Sequence, residues 1–145
     1  MLHLIPVLLS IAINASAVPQ KPDLVKTPGA VFTSVTKKDI CVTGYSKSAR
    51  SVSMGKKKAV FALYEINPKS GRFEIDHLVP LELGGSNDAK NLWPQSYTSH
   101  PYNAHAKNRL ENRLRKLVCS GSMSLRKAQS AIAKDWVKAY LKYVK

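Results

Sequence analysis

The sequence predicts an α+β fold in which one antiparallel hairpin packs on a helix, with further helices on its flanks. Three observations support this. Residues 72–79 alternate as a half-buried strand does, and Gly84-Gly85 turns the chain back soon afterwards. Residues 103–118 repeat Leu110, Leu114, Leu117 and Val118 at three- and four-residue spacing, and Gly121 closes that helix. Residues 124–140 set Leu125, Ala128, Ile132, Trp136 and Tyr140 on one face behind Ser124, a suitable N-cap.

The chain has 145 residues, with 23 Lys and Arg against 9 Asp and Glu, a net charge of +14. Residues 1–17, MLHLIPVLLSIAINASA, carry none of these charges and end on Ala15-Ser16-Ala17. That pattern predicts an export signal cleaved near Ala17, and a secreted or periplasmic mature protein. Its apolar run is too short to span a bilayer, and no other stretch resembles a membrane helix. A surplus of this size favours a polyanionic partner, with nucleic acid first. Charge alone does not decide, because cationic antimicrobial and wall-binding proteins share it. Cys41 and Cys119, two cysteines in an exported chain, suggest one disulfide between the N-terminal segment and the end of a later helix. The alternative is two buried free thiols. Neither sits in a Cys-x-x-Cys pair, which argues against structural zinc.

Residues 18–38 are rich in Pro, Lys and Thr, show no period, and are expected to form an extended, partly mobile lead-in to a single domain over 39–145. Val60, Leu63 and Tyr64 suggest a short helix, broken at Asn67-Pro68. Phe73, Ile75 and His77 fall on one side of the first strand, with Glu74, Asp76 and Leu78 on the other. The return arm is expected over 81–92, followed by a loop over 93–102.

The chemistry concentrates in residues 76–95, DHLVPLELGGSNDAKNLWPQ. Hydrolysing a phosphodiester needs a nucleophile made from water and a cation for the charge that builds on the phosphate and leaving oxygen. Asp76 offers a carboxylate to a hard divalent cation such as Mg²⁺ or Mn²⁺. His77 titrates near neutrality and can take the proton from water. Neighbouring strand residues point to opposite faces, so the two can serve one site only if the strand ends or bends there. Pro80 makes that ending plausible.

Together with NAHAKNRLENRLRKLVCSG, this run resembles the ββα-metal nucleases, also called His-Me finger or HNH enzymes. Cys41-Val42-Thr43-Gly44-Tyr45 and AQSAIAKDWVKAY at 128–140 resemble a group of small exported bacterial HNH endonucleases, so the likeness covers roughly residues 38–143. The resemblance implies a ββα-metal core, His77 as general base, Asp76 as metal ligand, and Asn91 as the residue that ties the hairpin loop and holds His77. His100, Asn103 and His105 compete for the next metal position. With Asn103 at zero and 100° per residue, Lys107 falls at about 40°, Glu111 at about 80° and His105 at about 200°. Asn103-x₇-Glu111 after Asn91-x-x-Pro94-Gln95 also resembles the nonspecific DNA/RNA nucleases of the same superfamily, and with the phase that resemblance implies Asn103 as the ligand, Glu111 ordering metal-bound water, and His105 as runner-up. Where that group carries Lys-Asp, this chain has Lys107-Asn108, and Asn108 is expected on the far face. Lys107, Arg109 and Arg113 are the phosphate-contact candidates on the helix.

The implied partners are DNA, RNA or both, and an inhibitor protein is a further candidate on which the sequence does not decide. The mature chain is expected to be a monomer. Two rivals stand beside the enzyme: a nucleic-acid-binding module without catalysis, and an antimicrobial or wall-binding protein whose hairpin is only structural.

Overall fold

The computed structural model describes residues 20–145, so the expected export signal at 1–17 lies outside the described residues. The described chain mixes five α-helices with one antiparallel pair of strands. Helix α1, Lys37–Ile40, starts where the Thr36 backbone N–H donates to the Asp39 carboxylate at 2.7 Å. Helix α2, Tyr45–Ala49, follows Gly44, and helix α3, Met54–Leu63, starts at Ser53, whose hydroxyl accepts from Lys56 N. Helix α3 is longer than the apolar spacing alone suggested, because this N-cap lies outside its apolar stripe.

Strand β1, Phe73–His77, pairs with strand β2, Leu92–Ser96, in a register that runs from Phe73↔Ser96 to His77↔Leu92. This corrects the expected return arm over 81–92 and the loop expected from 93. Every residue of β2 is buried, so it shows no polar alternation, and Pro94 argued against a strand. In a two-stranded sheet both strands are edges, and an edge tolerates the missing N–H. Residues 78–91 form the tip, with 3₁₀ turns at Leu81–Leu83 and Ala89–Asn91.

Helix α4, Ala104–Cys119, and helix α5, Leu125–Tyr143, complete the fold. Leu110, Leu114 and Val118 of α4, with Ala128, Ile132, Trp136 and Tyr140 of α5, meet Leu78, Val79, Leu83 and Trp93 in one core. The Cys41–Cys119 disulfide ties the residue after α1 to the end of α4. A link of this kind contributes about 2–4 kcal/mol, by most accounts through constraint of the unfolded chain. Helix α5 also breaks at Asp135, whose carboxylate accepts from Val137 and Lys138 N–H and so caps the second half. Nothing in the apolar spacing marks this break.

The described part of the lead-in is irregular up to Thr36, its last two residues, Lys37 and Lys38, open helix α1, and it is stitched to the core. Thr27 is fully buried and donates to the Leu92 carbonyl at 2.9 Å, Ser86 N–H donates to Ala30 O, and Trp136 Nε1 donates to Gln20 O. Among the described residues no helix is long and apolar enough to cross a membrane.

The tip depends on its glycine pair. Gly84 has φ +77°, and a Cβ on Gly85 would lie 1.7 Å from the Val79 carbonyl oxygen and 2.8 Å from Asn91 Nδ2. Gly85→Ala is therefore expected to lose about 1–3 kcal/mol in chemical denaturation, the usual cost of forcing atoms into a packed site. A loss no larger than that of an exposed substitution would contradict the tight approach.

Candidate active site

Strand β1 ends at His77. Asp76 and His77 turn to different partners there: the His77 ring lies against Asn87, 3.0 Å from its Oδ1, and Asp76 faces α4. The Asp76 carboxylate meets α4, where Lys107 Nζ donates to Asp76 Oδ2 at 2.7 Å, to His77 O at 2.7 Å and to Glu111 Oε1. Lys107 and Glu111, one helical turn apart, share a face as the helical phase predicted. Lys107 is completely buried, which corrects its assignment as a phosphate contact: its three protons already have partners. Its place on the same arc as the core leucines carried that information in the sequence.

The electrostatics follow from two carboxylates around one ammonium. Burial works to lower the Lys107 ammonium, but Asp76 and Glu111 outweigh it and hold the group above its ordinary range. Burial pushes the Glu111 carboxyl up, the Lys107 charge opposes this, and the Asp76 charge adds to it. Burial also raises Glu82 and Glu74, and both feel the Lys107 charge. Four of the nine acidic residues therefore gather around one buried cation in a chain of net charge +14.

His77 is 3% exposed. Burial lowers its pKa from the usual 6.5, against the opposing hydrogen bond to the Asn87 amide oxygen and the charge of Asp76, while Arg50 and Lys107 lower it further. The ring is therefore neutral at physiological pH, the form a general base requires. Asn91 is fully buried and bridges the tip: its Oδ1 accepts from Val79 N at 2.9 Å, and its Nδ2 donates to Val79 O at 2.8 Å and Ser86 O at 3.0 Å.

A polar cleft of about 270 Å³ opens beside these groups, lined by Ser46, Arg50, Glu82, Asn108, Glu111 and Asn112. Asn108 thus faces the cleft rather than the far side, because three residues of one α4 turn reach it together. Arg50 escaped the sequence reading: it lies between α2 and α3, 27 positions before His77, and nothing local marks it. It makes no hydrogen bond or ion pair among the described residues, and its charge reaches His77.

The remaining expected residues are spread out. Asn103 is the N-cap of α4, and its Oδ1 accepts from Ala106 N at 3.1 Å. The His105 ring lies 6.1 Å from that of Tyr97, whose hydroxyl donates to Glu74 at 2.7 Å and is pushed up to about 12 by that bond. The backbone carbonyl of His100 accepts from Gln20. Arg109 donates to the Tyr140 hydroxyl and Arg113 to the Tyr143 carbonyl, so both join α4 to α5 and neither lines the cleft. Among the described residues, no three His, Cys, Asp or Glu side chains come together as a metal cluster. No family model, curated protein or solved structure matches this chain.

Two measurements follow. Lys107→Met leaves two partly buried carboxylates without their shared cation, so urea unfolding near neutrality should show a loss of about 3–5 kcal/mol. The loss should shrink in acid, where the raised Glu111 carboxyl protonates; a neutral substitution would contradict the burial of Lys107. For His77, the folded pKa lies below the unfolded 6.5, so the unfolded state binds its proton first as pH falls. Its contribution to stability is complete above that value and is lost as pH drops toward the folded pKa. With EDTA present, wild type should lose more stability across that window than His77→Gln. Equal slopes would count against a buried neutral imidazole.

Proposed function

We propose that this protein is an exported, metal-dependent endonuclease of the His-Me finger (HNH) type, with a ββα-metal core formed by β1, β2 and α4. One observation carries the proposal. At the end of β1, His77 Nε2 meets Asn87 Oδ1 while the next residue back, Asp76, shares Lys107 with Glu111, and Glu111 lines a polar cleft together with an unpaired Arg50 whose charge reaches His77.

The donor set suits a divalent cation that keeps most of its water. Hydrogen bonds engage one oxygen of Asp76 and one of Glu111, and Lys107 neutralises only one of the two charges. Mg²⁺ is commonly held by one or two carboxylates plus substrate phosphate oxygens. Asp76 would hold it, with Glu111 ordering its water. Asn103, whose oxygen already caps α4, and His105 are the candidates for a further protein ligand. A bound cation supplies positive charge for the phosphate and the departing oxygen. His77 takes a proton from water as the new P–O bond forms and the old one breaks. Arg50 holds a non-bridging phosphate oxygen, and Asn91 keeps the tip from drifting away from His77. The basic surface collects DNA or RNA through phosphates, with little sequence reading.

One observation favours a second reading. The Lys107 ammonium already sits between the two carboxylates, as it would in a nucleic-acid-binding module that needs no cation. Incubating purified protein with supercoiled plasmid and with RNA, with and without EDTA, separates the two. The enzyme reading predicts cleavage with Mg²⁺ or Mn²⁺, none with EDTA, and a loss of roughly 10²–10⁴-fold in His77→Ala. Absent metal-dependent cleavage, or cleavage undiminished in His77→Ala, would end it. Arg50→Ala should weaken nucleic-acid binding on all sequences and reduce the slope of log affinity against log salt by about one. An unchanged slope would remove Arg50 from the phosphate path.

A further inference from the structure

Asn87 belongs to none of the motif positions, yet its side chain spends its hydrogen bonds inside the site. Its Nδ2 donates to the Ala49 carbonyl at 2.8 Å, and its Oδ1 accepts from Ser51 N–H at 3.2 Å. These two bonds orient the amide without reference to the imidazole. Flipping it would set oxygen against carbonyl oxygen and NH₂ against N–H. The backbone of Asn87 is held as well, since Lys56 Nζ donates to its carbonyl at 2.8 Å.

Oδ1 of this oriented amide lies 3.0 Å from His77 Nε2. An amide oxygen has no proton to give, so Nε2 must be the donor. A neutral imidazole carries one N–H, and the lone pair then sits on Nδ1. Nδ1 makes no hydrogen bond among the described residues and is not one of the sealed, unpartnered polar atoms of the core.

We propose that Asn87 is a positioning residue that locks His77 in its Nε2–H tautomer and so makes Nδ1 the atom that accepts the proton of the attacking water. The water step rests on the hydrolytic reading above, whereas the tautomer does not. Asn91 and Asn87 divide the work. Asn91 fixes the backbone of the tip, and Asn87 fixes which ring nitrogen is basic.

The test is a long-range ¹H–¹⁵N correlation of the His77 ring at a pH above its titration, with and without Asn87. Wild type is expected to show a protonated Nε2 and a bare Nδ1. Asn87→Ala should show a mixture of tautomers and a kcat lower by roughly 10²-fold, with KM within about twofold. Asn87→Asp, which retains an acceptor for Nε2–H, should keep the wild-type tautomer and more of the activity, and serves if the alanine variant folds poorly. A bare Nε2 in wild type, or Asn87→Ala with the wild-type tautomer and kcat, would overturn the lock. An Nε2–H ring in a protein that cuts no nucleic acid would support the lock and overturn the hydrolytic reading.

Discussion

The buried ammonium of Lys107 is the interaction on which the site depends. It joins the last two residues of β1 to α4 through Asp76, the His77 carbonyl and Glu111. Burying a charge is costly unless it is paired and its protons are all used, and here they are. The arrangement is worth little as a net source of stability, because desolvation offsets most of the attraction. Its value lies in geometry, since removing any partner strands a charge in the interior. The strand end and the helix must therefore stay in one register.

That register has chemical consequences. Asp76 is drawn toward α4 while His77 turns to Asn87, so adjacent residues at one strand end present a carboxylate to the helix and an imidazole to the tip. The Gly84-Gly85 turn and Asn91 hold the tip close enough for this to persist. Acidic groups gather in one pocket of a strongly cationic chain. A polyanion is attracted to the surface as a whole but meets local negative charge at the site, which a divalent cation would offset.

Much of this was legible in the sequence, and the misses have physical causes. Helices α4 and α5 were plain because apolar spacing and their N-caps agree, as was the presence of β1, although the strand stops at His77, two residues before the alternation does. Strand β2 was missed because it is buried on both faces and contains Pro94, so neither of its usual signals appears. Lys107 was taken for a phosphate contact although its helical phase put it with the core leucines. Arg50 and Asn87 have no local mark at all. Each acquires its role from chain segments brought together by folding, Asn87 from residues 49–51 and Arg50 from the tip and α4. The helical phase did find the face shared by Lys107 and Glu111, but it misjudged Asn108. A one-dimensional angle cannot tell how wide a cleft opens beside it.

The central claim is that a divalent cation belongs beside Asp76 and Glu111, and Mn²⁺-induced paramagnetic broadening of the amide spectrum tests it most directly. The account predicts that signals of Asp76, His77 and Glu111 broaden first and that Asp76→Asn abolishes this selectivity. Broadening spread evenly over surface carboxylates such as Glu65 and Asp88, with the site signals intact, would contradict it.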